Sequence, residues 1–330
     1  MDYRSLSDMG KTITMNMHKI PSSVDLVVGI PGSGMLAGSL IALSLNTLAT
    51  DLPGFIQNRT LRHGFTRNTK TGNMEPRQAW HVLLVSDCAG SGNSMHNAME
   101  MISAAGIQQK ITTCVIYGEP LHEKKAEIIL EHLNPPHAFE WSLIHSPLLQ
   151  ECCIDIDGLF LDLPLVSDMT DMQAWREALN NARPLVFPTQ TAGNLVTDHP
   201  EIFRNEIEEW LDKHNIRYKS LHMPGNADAS ENHPVTPSGT FKAQVYQSYP
   251  KSPLFIESSD DVARRITFLT GRKVLSYCIQ EMLTPEYLRA MEAKQMRSYP
   301  SRVLRKVRQL AFKDPLIYRM PVPVEDPAKT

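Results

Sequence analysis

The chain has 330 residues, of which 42% are hydrophobic and 21% are charged, and its formal net charge is −3 at pH 7. A chain of this length is expected to form about two domains that can each bury a core, and its composition excludes a disordered or fibrous protein. The small net charge gives no reason to expect nucleic acid as a partner.

Cysteine usage and apolar segments indicate the compartment. The five cysteines are scattered and none forms a CxxC pair, so we expect neither a disulfide framework nor a zinc site. The N-terminal sequence lacks the apolar segment of a secretory signal. The longest apolar stretch, residues 35–49, is shorter than the ~20 residues that span a bilayer. The sequence therefore predicts a cytoplasmic protein.

The first part of the chain contains the order strand, glycine-rich turn and helix twice. Residues 24–30 (VDLVVGI) predict a strand, residues 31–34 (PGSG) a turn and the following apolar segment a helix. Residues 81–87 (HVLLVSD) predict a second strand, followed by a small-residue loop and a helix that ends at Gly106, and residues 111–117 predict a third strand. This alternation predicts a mostly parallel sheet that binds ligands at the carboxyl ends of its strands.

A polar stretch, residues 57–77, separates the two glycine-rich units. It contains few apolar residues, so we expect it to lie outside the core, as a functional loop or as a solvated surface excursion. Its basic side chains are Arg59, Arg62, His63, Arg67, Lys70 and Arg77.

The pattern restarts near residue 149 and predicts a second domain. Residues 152–158 (CCIDIDG), 183–189 (RPLVFPT), 192–197 (AGNLVT), 253–259 and 273–278 predict strands, and residues 201–215 and 260–271 predict helices. We expect an α/β protein with two doubly wound, mostly parallel-sheet domains at 1–148 and 149–282. A basic helical tail is expected at 283–330.

The second glycine-rich unit has the features of a phosphate site. Backbone amides of residues 90–94 at a helix N-terminus can hold a sugar phosphate, and the Asp87 carboxylate can accept hydrogen bonds from ribose hydroxyls. The alternative is that the glycine turns only allow close packing.

The segments VLLVSDCAGSGNSM and VVGIPGSGM resemble the two substrate loops of type I phosphoribosyltransferases, over about residues 20–120. The resemblance implies that phosphoribosyl diphosphate is the donor and that the basic loop, with Arg59 and Arg62, closes over it. The residues implied to contact the ribose 5-phosphate are Asp87, Gly90, Ser91, Gly92, Asn93 and Ser94, and those implied to contact the pyrophosphate are Pro31, Gly32, Ser33 and Gly34. Where this family has two adjacent acids, this chain has Ser86 before Asp87. A serine cannot supply the negative charge that favours an oxocarbenium-like transition state or helps to hold Mg²⁺.

A second set of residues predicts phosphatase chemistry. Asp155 and Asp157 lie two residues apart at the end of a predicted strand, so both side chains point to one side if the strand stays extended. One carboxylate can attack phosphorus while the other protonates the leaving oxygen, provided that Mg²⁺ reduces their mutual repulsion. The alternative is a pair of acids that caps a turn, with Lys242 as an ordinary surface residue.

This DxDG motif and the elements after it resemble the haloacid dehalogenase superfamily of phosphatases, over about residues 150–280. The resemblance implies that Asp155 is the nucleophile, Asp157 the general acid/base, Thr197 a phosphate donor and Lys242 the charge that neutralises the phosphoryl group. The residues implied to hold Mg²⁺ are Asp155, Asp157, Glu257 and Asp261, with Asp260 competing for the last position. The gap between Gly158 and the next predicted strand is too short for a large lid domain. In this superfamily the absence of such a lid usually accompanies bulky substrates, because a small substrate would be left exposed to water. Residues 225–239 are a candidate partial cover.

Together the two resemblances imply a bifunctional enzyme. The first domain would transfer ribose 5-phosphate to a glycan or lipid-linked glycan acceptor, and the second would remove the phosphate. Such paired domains resemble those that make ribofuranose residues in bacterial polysaccharides. Two alternatives stay open: a nucleotide-salvage enzyme whose base-binding hood comes from residues 1–20 and 120–148, and a phosphatase regulated by a domain that binds the donor without transferring it.

The tail bears on the acceptor. Between residues 294 and 313 an apolar stripe at helical spacing accompanies seven basic residues and no acid: Lys294, Arg297, Arg302, Arg305, Lys306, Arg308 and Lys313. A basic amphipathic helix can lie on the anionic inner face of a membrane, where a lipid-linked acceptor would be found. The alternative is a helix packed across the domain junction.

Overall fold

The computed structural model describes residues 1–64, 69–89, 93–120, 126–163, 172–225 and 239–298. The chain divides into two compact units. Unit 1 consists of Met1–Cys152, Pro184–Leu195 and Glu208–Ser220, and unit 2 of Cys153–Arg183, Val196–Ile207 and the residues from Leu221 on. Each unit combines segments that are separated along the chain. The continuous domains expected from the sequence, 1–148 and 149–282, stay a prediction. Within the described ranges, no helix has both the length and the apolarity needed to cross a membrane.

The helices and strands of the first half alternate as the sequence predicts. In chain order they are β1 (Asp2–Arg4), α1 (Leu6–Asn16), β2 (Leu26–Gly29), α2 (Ser33–Leu45), β3 (Leu48–Asp51), α3 (Leu52–Ile56), β4 (His81–Ala89), α4 (Asn93–Ala104), β5 (Lys110–Gly118), β6 (Ile128–His132) and β7 (His137–Phe139). The main sheet has the order β3-β2-β4-β5-β6, and all its pairings are parallel.

This sheet is covered on both faces because its central strands are apolar at successive positions. Val27 and Leu83 belong to one core cluster, with Ile13 of α1 and Ile41 of α2. The residues that alternate with them, such as Val28, belong to the opposite cluster, which includes apolar residues of α3 and α4. Side chains of neighbouring strand positions point to opposite faces, so a continuous apolar run requires cover on both sides. The predicted doubly wound, mostly parallel sheet is confirmed here.

The parallel register aligns the carboxyl ends of the strands at one edge. Gly29 pairs with Asp51 of β3 on one side and with Val85 of β4 on the other. The turn that precedes α2 therefore lies at the same edge of the sheet as Asp87, which is near the end of β4.

A small second sheet joins the two segments that the sequence nominates as a hood. Strands β1 and β7 pair in parallel, with Tyr3 opposite Ala138. The Arg4 side chain donates to Glu131 at 2.9 Å, and the Thr12 hydroxyl donates to the other oxygen of that carboxylate at 2.7 Å. Residues near the N-terminus thus pack with residues that follow β5.

The second half contains another mostly parallel sheet, with the order β10-β9-β8-β11-β12-β13. Its elements are β8 (Cys153–Asp155), α5 (Met172–Asn181), β9 (Ala192–Val196), α6 (Arg204–Lys213), β10 (Tyr218–His222), α7 (Thr240–Ser248), β11 (Phe255–Glu257), α8 (Asp260–Thr270), β12 (Val274–Ser276), β13 (Glu281–Leu283) and α9 (Pro285–Ser298). Strand β11 pairs in parallel with β8 and β12, whereas β13 is antiparallel. Helices α7 and α8 pack on this sheet through Tyr246 and Ile266.

Three expectations from the sequence are corrected. Residues 183–189 do not form a strand, because Pro184 and Pro188 lack the amide hydrogens that a ladder needs, and Phe187 is exposed. The strand expected at 152–158 ends at Asp155. The polar stretch 57–77 also contributes to the core, because Met74 is buried there. Helix α9 forms after residue 283, and the tail from residue 299 lies outside the described residues.

Candidate functional sites

A mostly buried group of charged and polar side chains lies at the carboxyl ends of three strands of the six-stranded sheet. Asp155 ends β8, Thr197 directly follows β9, and Glu257 ends β11. Helix α7 contributes Lys242. We call this group the carboxylate–lysine cluster: Asp155, Asp157, Thr197, Lys242, Glu257 and Ser258.

Lys242 is the central cation of the cluster. It is 2% exposed, and its Nζ lies 2.7 Å from Oδ1 of Asp155, 3.1 Å from Oε2 of Glu257 and 3.5 Å from Oδ2 of Asp198. Burial acts to lower the pKa of the Lys242 ammonium, but the surrounding carboxylates raise that pKa well above its usual value. The pKa of the Glu257 carboxyl is raised well above its usual value by burial and by the neighbouring Asp155. Lys242 is therefore not a surface residue, and its role toward a phosphoryl group stays a prediction.

The two aspartates of the DxDG motif have different surroundings. Asp155 is fully buried, and its Oδ2 accepts a hydrogen bond from the Ser258 hydroxyl at 2.8 Å. Asp157 is partly exposed, and its Oδ2 accepts the Thr197 hydroxyl at 2.7 Å and the backbone amide of Asp198 at 3.1 Å. Burial raises the pKa of the Asp157 carboxyl. In this arrangement the Thr197 hydroxyl proton is directed to Asp157, while its role toward a phosphate stays a prediction.

His199 is a neighbour of the cluster that sequence reasoning missed. Its side chain is fully buried, and Nε2 lies 3.5 Å from Oδ1 of Asp157. Within the described residues, neither ring nitrogen of His199 nor that Asp157 oxygen has a hydrogen-bond partner. The rings of Trp175 and His199 pack edge to face, with their centroids 5.4 Å apart. In the sequence, the one feature that could have pointed to His199 is its position two residues after Thr197.

The acids at the start of α8 do not join the cluster through any contact among the described residues. Asp261 is exposed in the first turn of α8. Asp260 forms an ion pair with Arg264 of the same helix, with 2.7 Å between Nε and Oδ2. The structure thus brings together five of the six predicted phosphatase residues, and the role of Asp261 in metal binding stays a prediction.

The oxygen atoms around Ser258 have the chemistry that Mg²⁺ prefers. The Ser258 Oγ lies 2.8 Å from Oδ2 of Asp155, 2.6 Å from the carbonyl oxygen of Asp157 and 3.4 Å from Oε1 of Glu257. One hydroxyl has one proton for these three acceptors, whereas a hard cation attracts all of them. In the described ranges, however, no group of three His, Cys, Asp or Glu side chains has an arrangement that could hold a metal ion. The donor chemistry fits Mg²⁺, on condition that the Ser258 hydroxyl moves.

The predicted ribose site of unit 1 centres on Asp87, near the end of β4. Asp87 is half-buried, and its Oδ2 accepts a hydrogen bond from the indole N–H of Trp141 at 2.9 Å. Ser86 is buried, and its hydroxyl donates to the backbone carbonyl of Cys88 at 3.1 Å. Asp87 is therefore the one carboxylate that the motif contributes.

The rest of the predicted phosphate loop is only partly described. Asn93 and Ser94 are exposed in the first turn of α4. Gly90, Ser91 and Gly92 lie outside the described residues. A helix N-terminus favours an anion, so the geometry of Asn93 and Ser94 is compatible with the predicted phosphate contact.

The PGSG turn combines two requirements for glycine. A Cβ atom at Gly34 would lie 2.8 Å from the carbonyl oxygen of Val85, so Gly34 allows α2 to approach β4 closely. At Gly32 a Cβ would meet nothing within 4 Å, but its φ of +100° favours glycine. Pro31 and Gly32 are exposed and Ser33 is half-buried. Close packing thus accounts for Gly34 but leaves the exposed part of the turn available to a ligand.

The predicted loop arginines differ in their surroundings. The Arg59 guanidinium lies 2.6 Å from Oδ1 of Asp51, the residue that ends β3 beside Gly29. Arg62 is exposed, and Arg67 lies outside the described residues. Arg59 therefore lies at the carboxyl edge of the sheet that also carries Asp87.

Comparisons with known proteins give structural similarities only. No family model matches the sequence, and no curated protein matches it. A purine phosphoribosyltransferase from Pyrococcus horikoshii Ot3 is 13% identical, covers 42% of this chain and 92% of its own, and has a TM-score of 0.31. The Helicobacter pylori xanthine-guanine-hypoxanthine phosphoribosyltransferase is 13% identical, with coverages of 43% and 92% and a TM-score of 0.30. An APRTase from Giardia lamblia complexed with 9-deazaadenine is 20% identical, with coverages of 39% and 80% and a TM-score of 0.27. The similarity concerns the N-terminal part of the chain, and scores of this size do not assign the chain to a family.

Proposed function

We propose that this chain is a bifunctional enzyme that transfers ribose 5-phosphate from phosphoribosyl diphosphate to an acceptor and then removes the 5-phosphate. The observation that carries the proposal is the carboxylate–lysine cluster. A fully buried Asp155 beside a buried ammonium is costly to maintain for stability alone, because desolvation of both charges offsets their attraction. Such a pair at the carboxyl edge of a parallel sheet is better explained by chemistry.

The phosphatase step assigns separate tasks to the cluster residues. An oxygen of Asp155 attacks phosphorus and forms an aspartyl phosphate, while the bond from phosphorus to the sugar oxygen breaks and Asp157 gives that oxygen a proton. Water then attacks the aspartyl phosphate, Asp157 takes its proton, and phosphate leaves. A raised pKa suits Asp157 for proton donation, and Lys242 neutralises the phosphoryl charge. When bound, Mg²⁺ would offset the repulsion between the phosphate and the carboxylates, with Asp155, the Asp157 carbonyl and Glu257 holding it.

Exposure indicates where the substrate enters. Asp155 and Glu257 are buried, whereas the side chains of Asp157 and Asp198 are 13% and 20% exposed. A phosphate would therefore approach past these two acids and reach Asp155 last. Since both acids repel a dianion, a cation at the cluster would assist entry.

The transfer step uses the edge of the first sheet. Asp87 would orient the ribose hydroxyls, Asn93 and Ser94 would bind the 5-phosphate at the start of α4, and the exposed part of the PGSG turn would contact the pyrophosphate. The acceptor attacks the anomeric carbon as the bond to pyrophosphate breaks. We propose a glycan or lipid-linked glycan as the acceptor, which after dephosphorylation carries a ribofuranosyl group.

The decisive experiment follows two products. The protein is incubated with phosphoribosyl diphosphate, Mg²⁺ and a panel of glycan and lipid-linked glycan acceptors, while pyrophosphate and phosphate are measured. We expect acceptor-dependent release of both. Asp155→Asn should release pyrophosphate but no phosphate, and Asp87→Asn should lose pyrophosphate release. Asp162→Asn, which changes an exposed acid close to the motif, is the matched control and should behave as the wild type. Mg²⁺-dependent phosphate release that survives in Asp155→Asn would refute the assignment.

A nucleobase acceptor is the second candidate, because the two segments nominated as a hood do pack together. Strands β1 and β7 pair, and Trp141 of the same region reaches Asp87. Adding purines and pyrimidines to the acceptor panel tests this candidate: pyrophosphate release with a base but with no glycan would favour it. Donor binding without pyrophosphate release under any condition would favour a regulatory domain.

Membrane contact of the basic tail is part of the same proposal. Co-sedimentation with vesicles that contain anionic lipid, compared with neutral vesicles, tests it. Loss of residues 299–330 should abolish sedimentation with anionic vesicles. Equal sedimentation with and without this segment would contradict the proposed contact.

A further inference from the structure

The site at the end of β4 depends on the orientation of a single carboxylate. The neighbouring Ser86 is 5% exposed, and its hydroxyl is directed to a backbone carbonyl. A serine hydroxyl is neutral, so Ser86 offers no negative charge to a ligand. If the side chain of a lone carboxylate rotates freely, sugar hydroxyls bind to it more weakly, because binding must restrict the side chain to one rotamer at a cost in entropy. A second group that holds Asp87 in place would reduce this cost.

Trp141 is in the position to do so. Its indole N–H donates to Oδ2 of Asp87 at 2.9 Å, although the two residues are 54 positions apart in the sequence. A hydrogen bond to one oxygen of a carboxylate limits rotation about the last side-chain bond.

Packing fixes Trp141 itself. The indole stacks on Phe139, with 4.7 Å between ring centroids and 13° between planes, and lies 6.2 Å from the ring of Tyr117. Phe139 is held by β7, which pairs with Arg4 of β1. Tyr117 belongs to β5, opposite Cys88 of β4. The indole thus belongs to an aromatic cluster whose other two rings come from two strands of the same unit.

We propose that Trp141 is a positioning residue for ribose recognition: its N–H holds Oδ2 of Asp87 so that Oδ1 accepts a hydroxyl of a phosphorylated pentose. This inference rests on the proposed donor site. It adds a residue that lies outside both glycine-rich motifs and joins the donor site to the β1–β7 region.

The test separates positioning from general structural support. Trp141→Phe keeps an aromatic ring on Phe139 and removes only the N–H donor. Trp80→Phe is the matched control, since Trp80 is 76% exposed and immediately precedes β4 at its opposite end. Binding of ribose 5-phosphate, phosphoribosyl diphosphate and pyrophosphate is measured by calorimetry for the wild type and both variants.

We expect Trp141→Phe to weaken the binding of both ribose-containing ligands about tenfold or more, as for the loss of a hydrogen bond to a charged group. Pyrophosphate, which has no hydroxyl for Asp87, should bind equally well, and Trp80→Phe should change nothing. In an Asp87→Asn background, Trp141→Phe should have little further effect. Unchanged ribose 5-phosphate affinity in Trp141→Phe would overturn the positioning role, as would an equal loss for pyrophosphate.

A second readout does not depend on donor binding. The chain has four tryptophans, so ¹⁵N-labelled indole signals can be assigned by the two tryptophan variants. Asp87→Asn should shift the Trp141 indole signal and leave the Trp80 signal in place. If the wild type binds neither ribose ligand, the proposed donor site fails whatever the indole signal does. If it binds them and the Trp141 signal ignores Asp87→Asn, only the positioning inference fails.

Discussion

Removing the ammonium of Lys242 should destabilise the protein strongly. Lys242→Met keeps most of the aliphatic stem but leaves Asp155 and Glu257 buried without the cation that lies 2.7 and 3.1 Å from their oxygens. Loss of one partner from a buried ion pair typically costs about 3–5 kcal/mol, because the remaining charge stays desolvated. At about 2–4 °C per kcal/mol, the melting temperature should fall by roughly 6–20 °C.

A matched control distinguishes burial from charge. Lys219 forms an ion pair of the same 2.7 Å length with Glu151, but the two side chains are 43% and 63% exposed. Such an exposed pair contributes about 0–1 kcal/mol, so Lys219→Met should shift the melting temperature by at most a few degrees. Thermal and urea unfolding, followed by circular dichroism at pH 7, give both values.

A double variant tests the physical reason. If the cost of Lys242→Met comes from stranded negative charge, then adding Asp155→Asn should restore part of the lost stability, because it removes one of those charges. Equal destabilisation by the two lysine variants would refute the reasoning. A double variant that is less stable than Lys242→Met alone would do the same.

Three further outcomes are expected. His81 is fully buried, and burial lowers the pKa of its imidazole. Protonation of the unfolded chain below a pKa of about 6.5 should therefore lower the stability of the wild type as the pH falls. Urea unfolding between pH 7.5 and pH 5 should show a smaller loss of stability at low pH in His81→Gln. Gly34→Ala should lower the free energy of unfolding by about 1–3 kcal/mol, because the new Cβ would lie 2.8 Å from a carbonyl oxygen of β4. At Gly10 in α1 a Cβ would meet nothing within 4 Å, so Gly10→Ala should be neutral or stabilising. Equal shifts of the two melting temperatures would be inconsistent with this argument. A thiol reagent at pH 8 should modify the exposed Cys278 but not Cys114, since burial raises the pKa of the Cys114 thiol to about 12. Mass spectrometry of the treated native protein identifies the modified residue, and modification of Cys114 before Cys278 would contradict the prediction.

The elements that the sequence predicts correctly are those with local signals. Residues of β2 and β4 form apolar runs bounded by glycine or polar residues, and α8 begins with Asp260 and ends before Gly271, so periodicity and termination signals agree with the structure. The segment 183–189 has the apolar residues of a strand, but its prolines outweigh that signal. Short elements such as β1 and β7 have too few residues to show a period, and only their mutual pairing defines them.

The candidate sites divide in the same way. The DxDG motif predicts Asp155, and the order of later motifs predicts Lys242, although 87 positions separate the two residues that meet at 2.7 Å. His199 and Trp141 could not be inferred, because a histidine or tryptophan without a motif carries no information about which carboxylate it faces. Those contacts arise from packing: Trp175 against His199 and Phe139 against Trp141.

The discontinuity of unit 1 has a consequence for biosynthesis. Its last segment, Glu208–Ser220, is translated after Cys153–Arg183 and Val196–Ile207, which belong to unit 2. When only the first 152 residues have emerged from the ribosome, unit 1 is therefore incomplete. Segments of unit 2 emerge before the last segment of unit 1 does. Because domains generally fold as they are synthesised, at about 5–20 residues per second, the missing segments arrive within seconds. A gene cut after residue 152 would encode a product that lacks Pro184–Leu195 and Glu208–Ser220, so unit 1 cannot be expressed whole by a truncation at that point.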